Sequence, residues 1–133
     1  MALNWKNGGS WEAITDTAIC ATYGGTYHLE YPPAQEVAID GTQAAATGKP
    51  RIIIIAPWMT DTGMGFWRDR LGSATARTAA ISIEAWDPQT GTATKWAGTL
   101  QRPKFEGVSV GSSAERTIYR NVRIEIWECS ATS

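Results

Sequence analysis

The chain has 133 residues, with 12 Lys plus Arg against 13 Asp plus Glu and a formal net charge of −1. That length fits one domain. A near-neutral chain with interspersed signs does not fit a nucleic-acid binder, whose footprint is a basic face, and an apolar share of 43% does not fit a disordered tail. Seven Trp stand against a single His, which narrows acid–base and nucleophilic chemistry and turns attention to packing and assembly.

Residues 1–11 read as an N-terminal arm, with Trp5 and Trp11 set among Asn, Gly and Ser. No apolar h-region marks a secretory leader and no run reaches the ~18 apolar residues of a membrane span, so folding in a cytosol is expected. Residues 13–23 alternate imperfectly, anchored by Ile14, Ile19 and Cys20. Gly24 and Gly25 signal a turn, residues 26–31 a strand stopped by Pro32 and Pro33, and residues 36–39 a short strand. Residues 40–50 have no period and contain Gly41 and Gly48, so they read as a flexible loop. The run Ile52, Ile53, Ile54, Ile55 within 51–56 predicts a strand buried on both faces.

One helix is expected at about 60–71. Thr60 or Asp61 can cap it, Phe66, Trp67, Arg70 and Leu71 recur at helical spacing, and Gly72 stops it. Gly63 and Gly65 weaken it by roughly 1 kcal/mol each relative to Ala. Residues 79–102 read as a hairpin turned at Asp87, Pro88, Gln89, Thr90 and Gly91. Ile81, Ile83 and Ala85 take its inner face, and Ser82, Glu84 and Trp86 its outer face. Pro103 ends the hairpin, and residues 107–113 form a loop or twisted ribbon. A long last strand over 116–128 turns Val122, Ile124 and Ile126 inward. The sequences Ile83-Glu84-Ala85-Trp86 and Ile124-Glu125-Ile126-Trp127 echo each other, each placing a Glu and a Trp on one outward face. The expected fold is therefore mainly β, an antiparallel sandwich or barrel-like sheet with one flanking helix and long loops, in a single domain over 1–133.

Catalytic patterns are sparse. His28 alone is available to a triad, Gly-x-Ser-x-Gly is absent, and Gly63-Met64-Gly65 lacks the rest of a phosphate loop. His28 with Cys20, Cys129 and a carboxylate lacks metal-ligand spacing. No cofactor or metal and no enzymatic activity are expected. Cys20 and Cys129 read as buried free thiols, a clasp between the first and last strands being the alternative. Glu84 and Glu125 would make an acid pair only if their strands were neighbours. A solvated face, or pairing of Glu125 with Arg123, is the simpler reading. Trp86 and Trp127 on polar faces ask for a second layer or a second subunit. Trp5, Trp11 and Trp96 raise the alternative of a soluble carbohydrate-binding β-domain.

The helix at 60–71 following the buried strand 51–56, the hairpin around residues 81–91 and the long final strand together resemble the tail tube proteins of long-tailed bacteriophages. That resemblance implies a virion protein made in the host cytoplasm. Its subunits form rings, hexameric in that family, stacked into a tube through which DNA passes passively. Its partners would be copies of itself and other virion proteins, with no membrane. The loop with Gly41, Thr42, Gln43, Ala44 and Ala45 would reach a neighbouring ring, and Trp5, Trp11, Trp86 and Trp127 would be interface candidates. Glu84 and Glu125 suit the negative lumen of that family; Arg123 departs from it. A capsid decoration protein or a tail terminator shares all these features.

Overall fold

The computed structural model describes residues 3–31 and 49–132. The architecture is one open antiparallel sheet of eight strands with two short helices. In chain order the strands are β1 (Asn4–Asn7), β2 (Ser10–Ala13), β3 (Thr26–Glu30), β4 (Arg51–Thr60), β5 (Thr78–Asp87), β6 (Thr92–Gln101), β7 (Gly107–Ser109) and β8 (Ile118–Ala131). Helix α1 spans Asp16–Ile19 and α2 spans Asp61–Leu71. The lateral order is β2-β1-β5-β6-β8-β4-β3, with β7 also on β8.

The central strands form where period-2 alternation is cleanest. β5 turns Ile81, Ile83 and Ala85 inward, and β8 turns Val122, Ile124 and Ile126 inward. β4 adds Ile52, Ile54 and Ala56, and β6 adds Trp96 and Leu100. β5 and β6 pair in register from Thr78↔Gln101 to Asp87↔Thr92. Their turn closes as its composition predicts: Gly91 takes φ +70°, its N–H donates to the Asp87 carbonyl at 2.8 Å, and the Asp87 carboxylate accepts from the Gln89 N–H at 2.9 Å.

Helix α2 begins and ends as the sequence predicts. The Thr60 hydroxyl accepts from the Gly63 N–H at 3.4 Å, and Gly72 at φ +83° donates its N–H to the Arg68 carbonyl at 3.1 Å. Asp61 lies in the first turn and Arg68 and Arg70 in the last, as the helix dipole favours. Met64, Trp67 and Leu71 face the sheet and complete the core. The Trp67 indole N–H donates to the Ala18 carbonyl at 2.8 Å, which ties α2 to α1.

Several expectations are corrected. Within the expected N-terminal arm over 1–11, residues 4–11 belong to the sheet: β1 and β2 form a hairpin through Gly8 and Gly9, and β1 pairs with β5 of the same chain at Asn4↔Glu84 and Trp5↔Ile83. Residues 13–23 are mostly helical, with α1 followed by a 3-10 turn at Ala21–Tyr23. Among the described residues the helices accordingly number two rather than one. β4 does not stop before Pro57 but runs through it to Thr60. The proline is tolerated there because the β3 ladder ends at Ile55, which leaves that stretch of β4 an edge on one side. Ile53 is buried on the outer face, but Ile55 beside it is 40% exposed, so double-sided burial holds only at one end of the strand. The expected strand at 36–39 and residues 40–48 of the expected flexible loop, Gly41, Thr42, Gln43, Ala44 and Ala45 among them, lie outside the described residues.

The sheet curls until its edge strand β3 faces β5. The Tyr27 hydroxyl accepts the Trp86 backbone N–H at 3.1 Å, and the Tyr31 hydroxyl donates to the Asp87 carboxylate at 2.6 Å. Burial, then the bond and charge of Asp87, push the Tyr31 phenol up to about 12. Two side-chain bonds thus stand where a backbone ladder would close a barrel. Both thiols are free and buried. Burial raises each above its ordinary value, Cys129 to about 11.

Candidate functional site

The outward face of β8 carries Arg123, Glu125 and Trp127, alternating with the inward Val122, Ile124 and Ile126. β4 lies alongside, with Ile53 opposite Glu125 and Ile55 opposite Arg123. On the other flank, Lys104 forms a two-way backbone bridge with Arg123, at 2.9 and 2.8 Å. Pro103 interrupts β6, yet the chain stays antiparallel to β8 and resumes as β7. Lys104 therefore shares the face of Arg123 and Glu125.

Glu125 is the centre of this face. It is only 8% exposed, unlike a solvated strand carboxylate. One oxygen accepts the Trp127 indole N–H at 2.9 Å, and the other accepts the Arg123 Nε–H at 3.1 Å. Arg51 and Lys104 each approach it to 3.9 Å. Burial alone would raise this carboxyl. The Trp127 and Arg123 bonds, with the charges of Arg123 and Lys104, outweigh burial and hold it below its ordinary value. The Arg51 guanidinium covers the Trp127 ring at 4.4 Å, so the indole is held at its edge by a carboxylate and on its face by a cation.

A cleft of about 170 Å³ opens beside this cluster, lined by Arg77, Gln101, Arg102, Lys104, Arg123, Glu125 and Trp127. Arg102 is fixed in its wall: its guanidinium donates to the Ala76 and Ser73 carbonyls. The face is thus one carboxylate inside a ring of cations.

The structure brings Arg123, Glu125 and Trp127 together and leaves the other candidates apart. Glu84 sits on β5, opposite Lys95, and accepts from the Asn4 side-chain amide at 2.8 Å. β6 separates β5 from β8, so Glu84 and Glu125 are not the neighbours that paired-acid chemistry needs. Trp86 lines a separate groove at the β3–β5 seam with Tyr27, His28 and Pro88. Trp5 packs edge-on to Phe66 at 5.4 Å under the Arg70 guanidinium at 4.0 Å. The ammonium groups of Lys6 and Lys95 approach the Trp11 ring to 5.9 and 5.2 Å. Trp96 is in the core, and its indole N–H is the one buried side-chain polar atom without a partner among the described residues.

Sequence reading missed Arg51, Arg77, Arg102 and Lys104. Their convergence depends on the β4–β8–β6 pairing, and no spacing within one segment announces it. No protein-family model, no curated protein and no solved structure matches this chain.

Proposed function

We propose that this chain is a structural subunit that self-assembles, with its open sheet continued or covered by neighbouring copies. The observation that carries this reading is the sheet itself. Among the described residues its terminal strand β2 has a lateral neighbour on one side only, β3 meets β5 through side-chain bonds and no backbone ladder, and β1 follows β5 for just two residue pairs. Free strand edges are templates for pairing, and assembly is one way to cover them. The β7–β8 ribbon adds apolar side chains of the kind that dock on a partner: Val110 is 81% exposed, and Phe105 and Val108 are exposed as well. Within this reading, a ring-forming virion protein of the tail tube kind is the specific form, with DNA passing through its bore and a terminator or decoration protein as its near variants.

Trp5, Trp11 and Trp96 offer little to the carbohydrate alternative, since cations or the core already occupy their rings. Light scattering and negative-stain microscopy of the pure protein test the proposal. Rings or tubes are the expected result, filaments favouring a tube and isolated rings a terminator. A monodisperse monomer at millimolar concentration would overturn it. Replacing Val110 and Val108 with Lys should shift assembly toward smaller species while leaving the circular-dichroism spectrum unchanged.

A further inference from the structure

We propose that the cleft between β8 and the 101–104 segment is a binding site for a phosphate oxyanion. The walls supply Arg77, Arg102, Lys104 and Arg123 against the single carboxylate of Glu125, an excess of three positive charges. The whole chain carries −1, so the rest of the molecule carries −4. The near-neutral total thus conceals a strongly polarised distribution, and a concave cationic site focuses field toward an anion.

The donors are available as well as charged. Arg123 spends its Nε–H on Glu125, which leaves its two terminal nitrogens without an acceptor among the described residues. Arg102 is anchored through Nε and one terminal nitrogen, leaving the other for a ligand. Arg77 lines the cleft with no side-chain bond or ion pair among the described residues. Lys104 reaches Glu125 only at 3.9 Å and stays 72% exposed. Glu125 therefore acts as a positioning residue: it fixes the orientation of Arg123 while its own two oxygens are occupied by Arg123 and Trp127. Planar guanidinium forks match the oxygens of a phosphate, and a multiply charged anion offsets an excess of three charges better than a monocarboxylate does. A volume of about 170 Å³ admits one such tetrahedral group with water. The inference does not depend on the assembly proposal, because every contributing residue belongs to one chain.

A phosphate group can come from the free ion or from a nucleic-acid backbone, and the test separates these sources. The Trp127 indole N–H resonance, assigned with Trp127→Phe, is followed while inorganic phosphate or a short single-stranded DNA oligonucleotide is added to the full chain at constant ionic strength. Saturable shifts with phosphate but none with chloride are expected. Arg77→Gln should weaken binding about tenfold, and Arg77→Gln with Lys104→Gln should weaken it further, since a hydrogen bond to a charged group contributes at least that much. Both side chains are exposed, so these variants keep the fold, as an unchanged spectrum elsewhere will verify. Oligonucleotide binding that phosphate displaces identifies a nucleic-acid backbone, and binding of phosphate alone identifies the free ion. Absence of a shift with both probes, or unchanged affinity in the double variant, overturns the proposal.

Discussion

The two faces of β8 bury side chains by opposite means. Inward, Val122, Ile124 and Ile126 are fully buried among aliphatic neighbours and Trp67. Outward, Glu125 is almost as deeply placed, yet it is held by an indole N–H, a guanidinium and two further cations. The inner face derives its stability from dispersion and the hydrophobic effect, which are insensitive to pH and reinforced by kosmotropic salts. The outer face rests on charge-assisted bonds that offset a desolvation penalty, so it responds to pH and ionic strength. One strand therefore carries a robust half and a conditional half.

The largest effect should come from breaking the inner face. Ile124→Ala should lower unfolding free energy by about 2–5 kcal/mol in urea titrations, with little change between pH 4 and 7. Next comes the helical layer that seals the same face. A Cβ at Gly63 would run into the Thr17 carbonyl of α1 and lie 2.8 Å from the Met59 side chain. Gly63→Ala should therefore destabilise by about 1–3 kcal/mol, against the helix propensity gain. Gly65→Ala, where the nearest atom is the end of the Arg68 side chain at 3.7 Å, should stabilise by roughly 0.5–1 kcal/mol. Thermal melts of the pair will show opposite signs if α1 packs as described.

The outer face gives a smaller and conditional response. Glu125→Gln keeps the volume but sets an amide N–H₂ against a donor, and should lower stability by roughly 1–2 kcal/mol at pH 7. The sign of its pH dependence follows from the lowered carboxyl. The folded state prefers the ionised form, so the stabilisation is full above the ordinary value of 4.5 and is lost as pH falls below it toward the folded value. Denaturant midpoints of the native chain should drop over that acidic window, and those of Glu125→Gln should drop less. Asp61, lowered by its bonds to Arg68 and Tyr119, contributes in the same direction and remains in both proteins.

Much of the fold was legible because alternation and end signals are local. The hairpin of β5 and β6, the long β8 and the capped helix α2 all announce themselves in contiguous residues. Helix α1 does not, because its four residues are too few to show a helical period. The role of Gly63 was hidden for a related reason: propensity counts it as a defect, and only the α1 backbone beside it makes its missing Cβ necessary. At the site, the pairing of Arg123 with Glu125 could be read from their i, i+2 spacing on one strand. Arg51, Arg77 and Lys104 could not, because strand register brings them in from three separate segments.

The placement of β8 has a consequence for how the chain folds as it is made. β8 lies between β4 and β6 in the sheet but follows both in the chain. Until it emerges from the ribosome, β4 with β3 and the β5–β6 hairpin are separate pieces, each with an unpaired inner edge. The pairings Ile52↔Ile126 and Leu100↔Ile126 converge on one late residue, so joining the halves is a long-range step. Nascent chains arrested before Val122 should bind holding chaperones, and chains carried past Ala131 should release them.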